Sequence, residues 1–192
     1  TKATHFFTKS NFHTDVTFFE SSKINVDIQQ VSQDTYLKTH KLTSPLITSK
    51  TVLNSKIILE ASNKNLDLNL FAEVYEDLSK ETSDRYEYIF PSYDLTRYFE
   101  SSLQGELSFS SSGNNKLYDT NVSEKTMTND LNYSSLKNIT TGGFVTNYEL
   151  LLKNYNSDSK NSKSSKNELD QNLQSIIKYQ IQYPLKKEGV KF

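Results

Sequence analysis

The feature of this sequence that most constrains its fold is an alternation of apolar and polar residues. Every second residue from Leu173 to Tyr183 is apolar or aromatic, except Ser175, and mostly glutamine and lysine lie between them. A period of two predicts a β-strand with one apolar face and one polar face. The same alternation recurs along most of the chain, so nearly every predicted strand is half apolar and half polar. That pattern is typical of the wall of a transmembrane β-barrel.

The composition agrees with a fold that lacks a thick dry core. Only 34% of the 192 residues are hydrophobic, yet 12% are aromatic and the net charge is −1, which argues against disorder. The near-neutral charge also argues against a nucleic-acid partner. The chain has no cysteine and no apolar run approaching the roughly 18 residues of a membrane-spanning helix. The sequence opens on Thr1 in mid-pattern, and we expect residues 1–192 to be a fragment of a longer protein.

The alternation predicts about nine strands of roughly ten residues, the length that crosses a bilayer at barrel tilt. We expect a bend or bulge at Pro91, and loops at 32–50, 76–84, 110–125 and 154–166. The predicted strands are centred on residues 6–20, 24–28, 52–61, 66–74, 86–90, 103–109, 127–133, 144–152 and 173–183.

The predicted connections alternate strictly between short and long. Those near Ser22, Lys64, Glu100 and Asn138 are short, and those near His40, Lys80, Asn114 and Ser162 are longer. Strict alternation is expected when one side of a barrel has tight turns and the other has external loops.

Two other folds fit parts of the pattern. Residues 144–152 and 169–181 also fit helical spacing, and a soluble antiparallel β-sandwich would alternate in the same way. A sandwich would need inward apolar rows that share one core.

Little in the sequence indicates catalysis, and we predict no catalytic, cofactor-binding or metal-binding residues. His5 and His13 share a strand face but are too far apart to chelate one metal, and His40 lies in a predicted loop. An acidic cluster lacks the spacing of a calcium loop, so we interpret it as a solvated loop. Its members are Glu73, Glu76, Asp77, Glu81 and Asp84.

Tyrosines lie mostly near the predicted strand ends, as in the aromatic girdles that form at a membrane surface. They are Tyr86, Tyr88, Tyr98, Tyr148, Tyr155, Tyr179 and Tyr183.

An ordered series of short motifs resembles the C-terminal barrel domain of the LPS-assembly outer-membrane protein family (LptD, also called OstA or Imp). The series covers nearly the whole chain. The motifs are residues 31–37 (Val-Ser-Gln-Asp-Thr-Tyr-Leu), 53–59, 84–91 (Asp-Arg-Tyr-Glu-Tyr-Ile-Phe-Pro), 129–134, 143–148, 152–154 and 183–185 (Tyr-Pro-Leu).

The resemblance implies a non-enzymatic role in the Gram-negative outer membrane. Members of this family receive lipopolysaccharide from a periplasmic protein bridge and deliver it to the outer leaflet, with a lipoprotein plug inside the barrel. We expect this fragment to lack the family's periplasmic jelly roll and its terminal strands, and it has none of the family's cysteines, so no gate residues carry over. The alternatives are a segment of a porin or receptor barrel, or a secreted β-sandwich that binds glycan or protein.

As an internal arc of such a barrel, the chain would contact outer-membrane lipids on one face and a wet lumen or the plug protein on the other. The apolar set is Leu66, Leu68, Leu70, Leu103, Leu107, Ile177, Tyr179 and Ile181. The polar set is Asp67, Asn69, Gln104, Glu106, Gln174, Lys178 and Gln180.

Overall fold

The computed structural model describes residues 4–100, 104–163 and 167–183, and these form an all-β protein. A single helical turn, α1 (Tyr36–Thr39), and a short 3₁₀ helix (Thr82–Arg85) interrupt the strands. The strands are β1 (His5–His13), β2 (Ser21–Val31), β3 (Val52–Asn63), β4 (Leu66–Asp77), β5 (Tyr86–Phe99), β6 (Gly105–Tyr118), β7 (Val122–Ser135), β8 (Asn138–Ile139), β9 (Val145–Lys160) and β10 (Asp170–Gln182).

All ten strands belong to one antiparallel sheet, and, with β8 left aside, each strand pairs with its neighbours along the chain. The order is β1-β2-β3-β4-β5-β6-β7-β9-β10, and the two-residue β8 pairs with β9. The predicted all-β antiparallel meander is therefore confirmed. Residues 144–152 and 169–181, for which helix was an alternative, form β9 and β10. Within the described residues β1 and β10 do not pair with each other, so the sheet is open at both edges.

The predicted irregularity at Pro91 is a β-bulge. The register of β5 against both neighbours shifts between Ile89 and Ser92. The extra residue moves the apolar side chains of β5 from even positions (Tyr86 and Tyr88) to odd positions (Tyr93 and Leu95), because a strand alternates its faces. The bulge thus keeps one face of the sheet apolar although the sequence alternation changes phase.

The predictions of loops at 110–125 and 154–166 are wrong, because most of the described residues in both ranges belong to strands. Residues 110–118 continue β6 and residues 122–125 begin β7, which leaves only 119–121 as a turn. Residues 154–160 belong to β9, where all of them pair with β7 on one side and residues 154–157 also pair with β10 on the other. Their backbone groups are satisfied by these neighbours, so polar Ser and Asn side chains do not prevent strand formation. Residues 164–166 of the second predicted loop lie outside the described residues.

The predicted strict alternation of short and long connections is also wrong. At the first end of the sheet, consecutive strands are separated by residues 14–20, 64–65, 100–104 and 136–144. At the second end they are separated by residues 32–51, 78–85, 119–121 and 161–169. The first connection is at 14–20 rather than at 21–23, and the connection 119–121 is among the shortest.

Cross-strand register divides the side chains into two faces. Residues paired across antiparallel strands lie on the same face, and one such row runs from Leu70 through Tyr93, Gly113, Met127 and Asn156 to Gln171. Through these rows, the apolar residues of β4 share a face with those of β10. We call this the apolar face and its opposite the polar face. The predicted apolar and polar sets fall on these faces as expected, except that Leu103 lies outside the described residues and Gln104 precedes β6.

A small hydrophobic cluster at the second end of the sheet holds the long connection 32–51 in place. Its buried members are Val31, Leu37, Leu53 and Leu78, and Phe7, Tyr36, Leu42 and Ile47 pack against them. Gln29 donates a hydrogen bond from Nε2 to the carbonyl of Leu46, and the Leu78 N–H donates to the carbonyl of Thr51. Because the cluster is confined to the strand ends, it anchors two connections and leaves the middle of the sheet uncovered.

This cluster yields a test of the fold. Leu37 is fully buried, so Leu37→Ala removes packed atoms and leaves a cavity, which costs about 2–5 kcal/mol. We expect faster hydrogen exchange and faster proteolysis within residues 32–51, with little change in β6–β9. The exposed neighbour provides the control, since Lys38→Ala removes no buried contact. Equal protection in both variants would contradict the packing described.

Candidate functional site

Large apolar side chains are exposed on most strands of the apolar face. Ile177 is 75% exposed, Leu173 73% and Tyr179 63%, and the exposed set extends over β1, β3–β7, β9 and β10. Further exposed members are Phe6, Phe12, Ile57, Leu70, Tyr88, Phe99, Leu117, Met127, Leu131, Tyr148, Leu150, Leu152 and Ile181. A contiguous exposed apolar surface of this extent marks an interaction surface. No second layer of secondary structure covers it among the described residues.

The apolar residues form a band that crosses the hydrogen-bonded rows obliquely. On β4 the band is centred on Leu70, whose row ends at Gln171 on β10. On β10 the band is centred on Ile177, six residues further along (171 to 177), toward the first end. Five strand-to-strand steps separate β4 from β10. The band therefore moves by slightly more than one residue per strand.

A line of hydrogen-bonded polar side chains crosses the apolar face. Tyr93 Oη lies 3.1 Å from Ser111 Oγ, which donates to Asn129 Oδ1 at 2.7 Å. Asn129 Nδ2 donates in turn to Asn154 Oδ1 at 3.3 Å. These groups satisfy one another across β5, β6, β7 and β9, and this lowers the cost of placing them in an apolar environment.

The polar face carries ion pairs between neighbouring strands. The pairs are Lys23–Glu60 at 2.7 Å, Lys116–Glu87 at 3.0 Å, Lys153–Asp130 at 3.2 Å and Lys178–Glu149 at 3.2 Å. All of these side chains are partly exposed, so each pair contributes only about 0.2–1 kcal/mol. Opposite charges on facing strands do favour the observed register over a one-residue slip. The polar face thus carries charges of both signs.

The predicted tyrosines divide between the two faces. Tyr86 and Tyr88 lie on the apolar face near its second end, and Tyr148 and Tyr179 lie on it near the first end. Tyr98 and Tyr155 lie instead on the polar face, opposite Ser108 and Thr128, so assigning these two to a girdle is wrong. Tyr183 follows β10, and its ring contacts Phe144 with centroids 4.9 Å apart.

The histidines considered from the sequence are all exposed. His5 Nδ1 lies 3.2 Å from the hydroxyl of Tyr36, and the His40 ring lies 4.5 Å from the Tyr36 ring. His13 is at the opposite end of β1 from His5.

The acidic residues each have separate surroundings. Glu73 accepts a hydrogen bond from Tyr75, Glu76 pairs with Arg85, and Asp84 accepts from Thr120. Asp77 accepts hydrogen bonds from Ser79. In the part of the chain that the structure describes, no three His, Asp or Glu side chains come together as a metal site.

Arg85 is a structural residue that the sequence reasoning missed. Its guanidinium contacts Asp34 at 2.7 Å and Glu76 at 2.6 Å, and it joins the connection 32–51 to the end of β4. Burial opposes its charge, but hydrogen bonds and charge attraction from Asp34 and Glu76 outweigh burial and raise the pKa of Arg85. The composition contains a signal for this role, because Arg85 is one of only two arginines in a chain that otherwise uses lysine, and arginine suits buried ion pairs better than lysine does.

A comparison with protein-family models finds no match for this chain, and a comparison with curated proteins finds none either. The likeness to the LPS-assembly family stays a prediction. Among the described residues, no helix has the length and apolar content needed to cross a membrane.

Proposed function

We propose that this chain forms part of the wall of an outer-membrane β-barrel that delivers lipopolysaccharide to the outer leaflet. The observation that carries the proposal is the exposed apolar face of a single-layer sheet whose other face is polar and charged. In water, such a face would leave a large area of apolar surface uncovered. In a bilayer, lipid covers it, and pairing between neighbouring strands satisfies most of the backbone hydrogen-bonding groups inside the sheet.

The dimensions of the apolar band support a bilayer as the environment of the apolar face. A shift of six residues over five strands, at about 3.3 Å per residue and 4.8 Å between strands, corresponds to a strand tilt of about 40°. Strands of outer-membrane barrels tilt by about 35–45°. The apolar positions of β4 run from residue 66 to residue 74, which at that tilt spans about 20–23 Å across the membrane. The apolar belt of such barrels is about 25 Å tall.

The two open edges support a wall that includes further strands. The main path of the sheet contains nine strands, so β1 and β10 run in the same direction. Pairing them directly would create a parallel contact, whereas bacterial outer-membrane barrels consist of an even number of antiparallel strands. Closure of this sheet therefore takes an odd number of additional strands, each antiparallel to its neighbours.

The transport role is supported by the ordered motif series. In this proposal the polar face lines a hydrated lumen that contacts the plug lipoprotein, periplasmic bridge proteins supply lipopolysaccharide, and the apolar face contacts outer-membrane lipids. No covalent chemistry is involved. The described motif residues lie along the sheet from the end of β2 to the end of β10, and residues 184–185 of the last motif are outside the described residues.

Two adjacent isoleucines test the membrane-facing assignment with the same substitution. Ile177 is on the apolar face and Ile176 is on the polar face, and both are more than half exposed. We expect Ile177→Arg to lower the free energy of unfolding in lipid vesicles by about 2–4 kcal/mol if the residue lies near the bilayer midplane. Ile176→Arg places its charge toward water and is expected to cost less than about 1 kcal/mol.

The measurement is the urea dependence of strand content and tryptic protection in vesicles. Equal losses for Ile176→Arg and Ile177→Arg would count against a lipid-covered face. Folding of the wild-type chain as a compact monomer in water without detergent would also count against a lipid-covered face.

A cross-linking pair tests the transport role. A photoreactive residue replaces either Asn69 on the polar face or Leu70 on the apolar face of β4, in the Gram-negative cells that make the protein. We expect a covalent adduct with the plug lipoprotein from position 69 and none from position 70. Passage of small solutes without any adduct at position 69 would favour a porin or receptor barrel instead.

A further inference from the structure

A cleft lies at the second end of the sheet, where the apolar face ends. Its volume is about 690 Å³, and it is lined by Tyr86, Tyr88, Leu117, Asn121, Lys160 and Asn161, among others. The sequence predicts only that Tyr86 and Tyr88 lie near a strand end, and it predicts no role for the other residues of the cleft. The cleft combines aromatic, aliphatic, amide and cationic groups within one concave surface.

The floor of the cleft is a single cross-strand row that changes from apolar to charged. Tyr88 of β5 pairs with Leu117 of β6, Leu117 with Ser123 of β7, and Ser123 with Lys160 of β9. Tyr86 stacks beside Tyr88 with ring centroids 6.0 Å apart. Because the apolar band shifts toward the first end between β4 and β10, the Lys160 end of this row lies further outside the band than the Tyr88 end.

The rim of the cleft is fixed by two turns that hydrogen-bond to each other. Asn161 Nδ2 donates to the carbonyl of Asn121 at 2.9 Å. Both residues have positive φ, 58° for Asn161 and 63° for Asn121, a conformation that asparagine tolerates better than most residues. The connection 119–121 is therefore held against the end of β9, and the cleft is preformed.

The charge in the cleft is available to a ligand. Lys160 forms no ion pair with any described residue, whereas Lys153 on the polar face of the same strand is paired with Asp130. The carboxylate of Asp119, which also lines the cleft, is 3.7 Å from Lys80. Asp158 lies two residues before Lys160 on the same face, opposite Lys125. Among the residues that line the cleft, Lys160 is thus the cation, and no described ion pair neutralises it.

We infer that this cleft binds the phosphate of an anionic lipid headgroup at Lys160, with the lipid's apolar part on Tyr88 and Leu117. The inference rests on the proposed membrane location and adds a ligand class and a site to it. An amphipathic tyrosine pair suits the boundary between hydrocarbon and headgroups. An unpaired lysine at that boundary attracts anionic lipid.

The test compares two lysines of β9 by the same substitution. The full chain is folded in zwitterionic micelles, and bound phosphatidylglycerol is titrated by native mass spectrometry, with zwitterionic phosphatidylcholine, which has no net charge, as the reference. We expect Lys160→Gln to weaken phosphatidylglycerol binding about fivefold, the effect of one surface lysine. Lys153→Gln, on the polar face, should leave it unchanged, and Lys160→Arg should preserve it.

An equal affinity of wild type and Lys160→Gln for phosphatidylglycerol would overturn the inference and leave the proposed barrel intact. The same loss in Lys153→Gln would also overturn it, because the effect would then come from net charge alone. Folding of the wild-type chain in water without detergent, with no strands formed in any micelle or vesicle, would overturn both the site and the proposed function. A Tyr88→Ala variant that binds both lipids less tightly would support the apolar part of the site.

Discussion

The continuous antiparallel register from β1 to β10 is the constraint on which both faces of this protein depend. Because side chains alternate with a period of two, a one-residue slip in any strand would exchange its apolar and polar faces. The bulge between Ile89 and Ser92 shows how the register is maintained, since it absorbs one residue where the sequence changes phase. Cross-strand ion pairs such as Lys23–Glu60 and Lys153–Asp130 favour the same register from the polar side. The apolar face, the oblique course of its apolar band and the cleft at its second end all follow from that register.

The fold class and the two faces were predictable because they depend on local alternation. A short segment is enough to show which side chains share a face, as in Leu66, Leu68 and Leu70 or in Ile177, Tyr179 and Ile181. Pro91 predicted a bend or bulge, because proline has no N–H to donate to a hydrogen bond between strands. No long-range information is needed for these predictions.

The strand lengths and loop lengths were not predictable, because they depend on neighbours that are distant in sequence. Residues 110–116 and 156–160 are polar or glycine on both faces and resemble loops, yet they are strands because they pair with β5, β7 and β10. The hydrogen-bonded line from Tyr93 to Asn154 and the pairing of Arg85 with Asp34 likewise join residues far apart in sequence. The cleft containing Lys160 and Asn121 depends on the register of four strands, so no local pattern indicates it.

The most direct test of the central claim is the environment of alternate residues along β4 in a bilayer. The chain has no cysteine, so single spin labels can be attached at each position from 66 to 74 and their collision rates with oxygen and with a water-soluble nickel chelate measured. A lipid-covered apolar face predicts high oxygen and low nickel accessibility at even positions 66, 68, 70, 72 and 74, and the reverse at the odd positions between them. Uniform accessibility along the strand, or protection of the even positions from both reagents, would contradict a lipid-covered face.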